Sequence, residues 1–185
     1  MLKCTQQDLE DYKQQGQSGK KISFSKFIAQ KPENQKKIQE VNQSSKEQEV
    51  IPIADFSPLP GEDLILSDLD LSGLDLSGVS FANVQFSNCN FNQAELTGSC
   101  FESAKFKGNT SFEGATLTDS NFIGANGESV HFNGAFMPRT RMMYSNFVNS
   151  NFEEALLYSA DLTGSNIEGA VLKKKLMQDM LIWKK

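Results

Sequence analysis

Histidine is scarce in this sequence, and the scarcity leaves little for catalysis. His131 is the only histidine among 185 residues, and no Ser or Cys nucleophile accompanies it in a recognisable motif. Three scattered cysteines, Cys4, Cys89 and Cys100, and one histidine cannot supply a repeated set of metal ligands. A glycine-rich phosphate-binding loop is also absent from the sequence. We therefore predict a protein that is not an enzyme and that uses no metal or cofactor.

Long apolar segments are missing as well. No stretch approaches 18 consecutive apolar residues, and the N-terminus lacks an apolar run of the signal-peptide type. The cysteines are odd in number and lack metal-ligand spacing, which favours a reduced chain. These absences predict no transmembrane segment, no classical secretion and a cytoplasmic location.

The sequence is rich instead in a five-residue period. Twenty-two positions follow one another from Leu66 to Leu172 at intervals of five residues, with one interval of six, and 21 of them carry Leu, Phe, Met or Ile. Gly127 is the exception. Because a helix repeats about every 3.6 residues and a strand about every 2, this period predicts a solenoid that turns a corner every five residues.

A second column of residues supports this interpretation. The residue two places before each large one is short at nearly every position, and only Leu64, Leu69 and Leu74 are bulky. One large and one small inward side chain on each five-residue side would fill a narrow square prism. The other three positions hold mainly Asp, Asn, Ser, Thr and Gly, as in SDLDL at 67–71 and ADLTG at 160–164, and we expect them to face water.

These segments resemble the pentapeptide repeat family. The resemblance implies an all-β solenoid, namely a right-handed quadrilateral parallel β-helix with four repeats per coil. Twenty-two repeats would make five and a half coils, and a strand spacing of about 4.8 Å gives a rod roughly 26 Å long. One architecture hosts many roles, so the resemblance specifies the fold far better than the function.

Three regions are predicted: a polar N-terminal extension at 1–53, the β-helix at 54–172 and a C-terminal amphipathic helix at 173–185. The β-helix would begin with the in-frame segment ADFSP at 54–58. A degenerate repeat at 59–63 would follow it.

The N-terminal extension has ten Gln and nine Lys in its first 50 residues. Helices could begin at Thr5 and after Pro32, because proline is tolerated in the first helical turn. One apolar cluster could seal the open end of the coil, and it consists of Ile22, Phe24, Phe27 and Ile28. Two alternatives stay open for the extension: disorder or a loosely docked helix, and a packed cap.

The C-terminal segment has an apolar stripe with helical spacing. The residues of this stripe are Leu176, Met177, Met180, Leu181 and Trp183. Three uses stay open for it: a cap over the last coil, a homodimer contact, and binding at a membrane interface.

Two departures from the period lie on one side of the predicted coil. Six residues rather than five separate Phe106 from Phe112, which inserts one residue near 107–109. Gly127 would stand one coil further along and leave a gap between Phe106 and Phe147. A second register, in which part of the segment ANGESV loops out, stays open.

The outward positions change character just after this irregularity. Seven large apolar or cationic residues are predicted to bind a partner: Phe136, Arg139, Arg141, Met143, Tyr144, Leu156 and Tyr158. Pro138 belongs to the same run. Residues 20 apart would stack on neighbouring coils, so the seven should form one exposed surface across two sides, and the two arginines would supply planar donors for carboxylates of the partner. The alternative is that another part of the chain docks there.

Charge is uneven along the chain. Residues 61–172 carry 14 acidic and 4 basic side chains, a net charge of −10, whereas residues 173–185 carry 1 and 5, a net charge of +4. An acidic rod argues against direct binding of nucleic acid, because phosphate contacts need Lys and Arg.

A non-enzymatic protein–protein interaction module is the leading functional prediction, with an unidentified protein as partner. Two alternatives stay open. Some bacterial pentapeptide repeat proteins, which this chain resembles in its acidic rod and C-terminal segment, imitate duplex DNA and bind DNA gyrase. The other alternative is a secreted bacterial effector, delivered into a host cell, that uses the rod as a host-binding platform.

Overall fold

The computed structural model describes residues 2–3, 6–16, 24, 27, 54–60 and 62–172. Its regular elements are short: β1 (Leu2–Lys3), α1 (Gln6–Gly16), β2 (Ala54–Asp55), β3 (Ile65–Ser67), β4 (Gln85–Ser87), β5 (Lys105–Lys107) and β6 (Asn126–Gly127). β1 pairs with β2, and β3 to β6 form one parallel sheet in sequence order. No helix in the described part of the chain has the length and apolar character needed to cross a bilayer.

Most of the described chain is a parallel β-solenoid held by isolated bridges. Residues on adjacent coils pair 20 positions apart, or 21 where the inserted residue intervenes, so four five-residue sides make one coil. We count coils from Leu66 and name the sides by their large inward residues. Side 1 holds Leu66, Phe86, Phe106, Gly127, Phe147 and Ile167; side 2 holds Leu71, Phe91, Phe112, Phe132, Phe152 and Leu172; side 3 holds Leu76, Leu96, Leu117, Met137 and Leu157; side 4 holds Phe81, Phe101, Phe122, Met142 and Leu162.

The polar outward residues form the corners between sides. Asp70 Oδ1 accepts hydrogen bonds from the backbone N–H of Ser72 at 3.1 Å and from its hydroxyl at 2.6 Å. Asp75 and Ser77 make the same pair of bonds on the next side. Two residues after each large inward residue the backbone enters the left-handed region, at φ +65° for Gly73. Short polar side chains and glycine suit this turn, which explains the composition of the outward positions.

Both inward columns predicted from the sequence are confirmed. The large residues from Leu66 to Leu162 are buried. Their aromatic rings stack from coil to coil, and on side 4 the ring centroid of Phe101 lies 5.2 Å from that of Phe81 and 4.8 Å from that of Phe122. This column of buried rings forms the core of the solenoid.

The described part of the N-terminal extension closes the first coil. Phe24 is fully buried, its ring stacks on Phe56 at 5.5 Å, and its N–H donates to the carbonyl of Asp75 at 2.9 Å. Leu76 makes the equivalent bond to Glu95 one coil later, at 2.8 Å. Phe24 therefore occupies the large inward position of side 3, one coil before Leu76.

Helix α1 packs beside Phe24. Leu9 and Tyr12 are buried, and the Tyr12 ring meets the Phe24 ring edge-on with centroids 5.3 Å apart. This part of the extension is a packed cap. The second predicted helix, after Pro32, lies outside the described residues.

The beginning of the β-helix matches the sequence prediction only in part. Phe56 is buried in the predicted frame and stacks on Phe81 with centroids 5.1 Å apart. Phe81 lies 25 positions later rather than 20, so the degenerate repeat predicted at 59–63 was wrong: the chain after Pro58 adds a loop at the corner in place of a side. Leu59 on this loop is 56% exposed. Two prolines near this point lack the N–H that a ladder requires.

The strand pairing decides between the two registers. Phe106 pairs with Gly127 and Asn126 with Asn146, so the segment ANGESV stays in the ladder. The extra residue forms a bulge after β5, where the Asn109 N–H donates to Asn88 Oδ1 at 3.1 Å.

The gap predicted at Gly127 was wrong. The rings of Phe106 and Phe147, two coils apart, have centroids only 6.2 Å apart and close over the glycine. A Cβ atom on Gly127 would lie 2.6 Å from Val130 Cγ2 and 3.0 Å from Phe106 Cβ. The absence of a side chain at this position lets the flanking rings meet.

The stability of the cap is expected to fall at high pH. Burial raises the pKa of Tyr12 to about 12, with Asp75 as a second cause. The folded state therefore retains a proton that the unfolded chain loses near pH 10, and this contribution to stability is lost as the pH rises from about 10 to about 12. Chemical unfolding at a series of pH values, compared with Tyr12→Phe, measures it. The variant should show a shallower decline over that range, and identical slopes would contradict the assignment.

Candidate functional site

The seven residues predicted to bind a partner lie on sides 3 and 4 of the fourth and fifth coils. Three of them are brought together on side 3, and we call Phe136, Leu156 and Tyr158 the side 3 patch. Phe136 pairs in parallel with Leu156, and their side chains are 43% and 37% exposed. Tyr158, 46% exposed, lies two residues further along the same side. Two adjacent coils thus present one apolar surface.

The other four residues extend around the corner to side 4. Consecutive sides of a four-sided coil turn by about 90°. Tyr144, 70% exposed, stands at the far end of side 4 and faces away from the side 3 patch. The seven residues thus span two sides that meet at a corner, so a flat partner would cover one side and reach the second only by wrapping the corner, and their joint use by one partner stays a prediction.

Arg139 is paired within the chain. Its Nε donates to Asp119 Oδ1 at 2.7 Å and its Nη2 to Asp119 Oδ2 at 2.6 Å, one coil below. The hydrogen bond from Arg139 is the main cause that lowers the pKa of Asp119. The planar fork of Arg139 thus already binds a carboxylate of its own chain, and its predicted role toward a partner's carboxylates stays a prediction. The pair instead fixes the guanidinium beside the side 3 patch.

Tyr144 is held flat against the next coil. Its backbone is left-handed, at φ +56°, where most other positions of this kind carry glycine or a small or polar residue. A Cβ atom on Gly164 would lie 2.7 Å from Tyr144 Cδ1, so the ring covers this glycine. The left-handed conformation costs a bulky residue about 1–2 kcal/mol, so a tyrosine is unusual at this corner.

The remaining members of the run differ in exposure. Arg141 is exposed and lies between Asn121 and Asp161 on the neighbouring coils. Met143 is only half-buried and lies one coil above the half-buried Ile123. Sequence reasoning missed Ile123, although an apolar residue in an outward position was a sufficient signal.

Pro138 was expected outward and is buried instead. It lies next to Tyr158, because the following N–H, that of Arg139, donates to the Tyr158 carbonyl at 2.8 Å. The proline thus forms part of the floor beneath the side 3 patch rather than part of its surface.

The carboxylates that are close in sequence are not brought together. Asp68, Asp70 and Asp75 lie on or beside three different sides. Asp70 and Asp75 accept hydrogen bonds from Ser72 and Ser77 at the corners of the coil, as described above. Asp68 Oδ1 accepts a hydrogen bond from Asn88 Nδ2 at 3.0 Å. These contacts give them structural roles.

Chemistry-bearing side chains are dispersed in the described residues. His131 is in an outward position on side 2, between Ser111 and Asn151. Cys89 is buried in a small inward position, where burial raises the pKa of its thiol, and Cys100 is half-buried. The part of the chain that the structure describes holds no group of three His, Cys, Asp or Glu side chains placed to bind a metal.

The residues of the predicted C-terminal stripe, from Leu176 to Trp183, lie outside the described residues. Their possible use as a cap or a dimer contact therefore stays a prediction.

Comparison with solved structures finds other pentapeptide repeat proteins. QnrB1, a plasmid-mediated fluoroquinolone resistance protein, is 27% identical over 57% of this chain and 56% of its own, with a TM-score of 0.38. A protein of the Arabidopsis thaliana thylakoid lumen is 24% identical over 61% and 70%, with a TM-score of 0.32. Rfr23 of the cyanobacterium Cyanothece is 13% identical over 66% and 86%, with a TM-score of 0.32. This chain thus spans little more than half the length of QnrB1.

A comparison with curated protein sequences returns no match. The model of the pentapeptide repeats, in contrast, matches eight copies over residues 65–108, 109–142 and 144–173, which is more than half of the chain. Proteins with these repeats form right-handed quadrilateral β-helices and generally serve as structural or interaction modules. The four-sided coil, its two inward columns and this match show that the chain belongs to the pentapeptide repeat family.

Proposed function

We propose that this protein is a non-enzymatic protein–protein interaction module whose partner covers the side 3 patch. The observation that supports the proposal is the juxtaposition of Phe136, Leu156 and Tyr158 on adjacent coils, all substantially exposed. The described residues expose seven large apolar side chains, and these three are the ones that meet on a single side. Such a cluster on an otherwise polar rod is typical of a binding surface.

The patch is rigid before it binds. The Phe136 N–H donates to Ala115 O, and the Leu156 N–H donates to Ala135 O, both at 2.9 Å, so each coil is tied to the one below it. Little conformational entropy is therefore lost when a partner binds this surface. Apolar area covered on binding contributes about 25 cal/mol per Å².

The same coils offer a matched control on side 2. His131, Asn151 and Glu153 occupy outward positions equivalent to Phe136, Leu156 and Tyr158, but their side chains are polar. A partner that recognises apolar groups distinguishes the two sides.

Site-specific cross-linking tests the proposal. A photoreactive phenylalanine derivative is introduced at position 136 or, as the control, at position 131. Each variant is then irradiated in an extract of the organism that produces the protein. We expect a discrete adduct from position 136 and none from position 131. Equal adducts from both positions, or none from either, would argue against the patch.

A second candidate function is inhibition of DNA gyrase by imitation of duplex DNA. It is favoured by the net charge of −10 between residues 61 and 172. Side 2 carries exposed Glu113 and Glu153 and no Lys or Arg in the described coils. A supercoiling assay with the wild type and with Glu113→Gln plus Glu153→Gln separates the candidates: inhibition that weakens in the variant supports gyrase binding, and no inhibition by the wild type excludes it.

The predicted cytoplasmic location and the alternative of delivery into a host cell stay predictions. The cross-linking experiment bears on both, since it identifies the partner and hence the compartment in which the two proteins meet.

A further inference from the structure

One column of outward residues runs along side 3 and changes from acidic to apolar. Parallel bridges join its members in the order Asp75, Glu95, Thr116, Phe136 and Leu156. Coils about 4.8 Å apart give this column a length of roughly 19 Å. The side 3 patch therefore continues, on the same side of the rod, into a pair of carboxylates.

The two carboxylates at the acidic end of the column face each other across adjacent coils. Each uses one oxygen at its own corner: Asp75 Oδ1 accepts from Ser77, and Glu95 Oε1 accepts from the Thr97 N–H at 3.0 Å. Both acidic side chains are partly exposed. Like charges at directly opposed positions destabilise a ladder. A cationic group that reaches both carboxylates from outside would relieve this repulsion.

Side 3 itself offers little positive charge in the described coils. Its five segments contain one basic residue, Arg139, and they span residues 74–78, 94–98, 115–119, 135–139 and 155–159. The guanidinium of Arg139 binds Asp119 at 2.6 Å, as described above. Side 3 therefore complements an element of a partner that carries apolar residues at one end and Lys or Arg at the other.

The backbone of side 3 favours a helix as that element. Its N–H and C=O groups are used in the ladder: the Phe136 N–H donates to Ala115 O at 2.9 Å, and the Leu117 N–H donates to Phe136 O at 2.7 Å. A partner strand therefore cannot add to this side, whereas a helix satisfies its own backbone groups. The diameter of a helix, about 10–12 Å, also matches one side, because opposite sides of the coil lie about 10 Å apart.

We propose that the element that covers side 3 is an amphipathic α-helix of the partner protein, aligned with the axis of the rod. Its apolar residues cover the side 3 patch, and Lys or Arg side chains about two to three turns further along bind Asp75 and Glu95. A helix of about 13 residues spans the whole column. The inference rests on the proposed function, because it names the kind of element that binds the same patch.

Mapping of cross-links tests the helical form and its alignment. Thr97 and Tyr158 occupy equivalent outward positions on side 3, three coils or about 14 Å apart. The photoreactive phenylalanine derivative is placed at either position in the full chain, and the adduct formed in the extract is digested and mapped by mass spectrometry. We expect both positions to label one segment of the partner, at sites about 10 residues apart, because that length of helix spans 14 Å.

Other patterns of labelling would overturn the inference. Sites about four residues apart would show an extended segment, and sites in separate segments would show that no single helix lies along side 3. An adduct from position 158 without one from position 97 would show a partner that covers the patch but not the acidic end, so the proposed function would stand without the helix. The absence of adducts from both position 136 and position 158 would overturn the proposed function as well.

Removal of the two charges tests the acidic end with the purified partner. Asp75→Asn with Glu95→Gln keeps an acceptor oxygen at both corners and eliminates both charges. We expect this variant to lose about 5- to 10-fold in affinity at low ionic strength and to show a weaker salt dependence, with a melting temperature close to that of the wild type.

The matched control removes the same charge from side 2. Glu113→Gln with Glu153→Gln should change the affinity by less than about 2-fold, because these carboxylates do not face the helix. Equal losses in the two double variants would show that only the overall charge of the rod matters, and no loss in either would show that the acidic end takes no part. Both results would overturn the inference.

Discussion

Replacement of Phe101 by alanine is expected to lower the free energy of unfolding by about 3–5 kcal/mol. Phe101 is fully buried, and its ring stacks between Phe81 and Phe122 on the adjacent coils. Removal of the ring opens a cavity that the ladder above and below it cannot close, because both neighbouring coils are fixed by backbone hydrogen bonds. Guanidinium-induced unfolding followed by circular dichroism measures the loss.

Ser103→Ala is the matched control, two residues away on the same side. Ser103 is exposed at the corner, so its replacement should change the free energy of unfolding by less than about 0.5 kcal/mol. Equal effects of the two substitutions would contradict the division of each side into inward and outward positions.

Gly127→Ala is expected to destabilise the solenoid by about 1–3 kcal/mol, although it brings the position closer to the apolar consensus of the column. The new Cβ would lie 2.6 Å from Val130 Cγ2 and 3.0 Å from Phe106 Cβ. Both neighbours are packed against a rigid ladder, so relief requires the ring of Phe106 to move away from that of Phe147. Thermal and chemical unfolding of the variant measure the cost.

A double-mutant cycle identifies the cause of that cost. Val130→Ala removes the methyl group that the new Cβ would meet first, and it should itself be destabilising because Val130 is buried. If steric overlap is the reason, the double variant will be more stable than the sum of the two single effects predicts, by about 1 kcal/mol or more. Strict additivity would mean that Gly127 is required for another reason.

The five-residue period was sufficient to predict the rod, since only a chain that turns every five residues buries both inward columns. It indicated that the cluster containing Phe24 could seal the open end, but it could not place Phe24 in the large inward position of side 3, because that cluster has no five-residue period. It also suggested a gap at Gly127, whereas the aromatic rings of the two neighbouring coils, Phe106 and Phe147, close it. The spacing of residues along the chain therefore predicts the inward positions, and only the packed structure shows which side chains occupy the space at each of them.

The sequence likewise predicted only part of the arrangement of the candidate site. The 20-residue offset placed Phe136 beside Leu156, as the structure has them. The same offset relates Asp119 to Arg139 and would have revealed their ion pair, but the arginine was considered only for its value to a partner. The burial of Pro138 has no counterpart in the repeat pattern, because its position is outward in every other coil.

If the rod is a rigid support for the side 3 patch, removal of the patch should abolish partner binding without loss of the fold, and an affinity measurement on two triple variants distinguishes the two effects. The first carries Phe136→Ser, Leu156→Ser and Tyr158→Ser, and the control carries His131→Ser, Asn151→Ser and Glu153→Ser on side 2 of the same coils. Binding of the cross-linked partner, once purified, is measured by calorimetry alongside the melting temperature of each variant. We expect the first variant to lose at least about 100-fold in affinity with a melting temperature close to that of the wild type, while the control binds normally. Unchanged affinity in the first variant, or a collapse of its fold, would contradict this expectation.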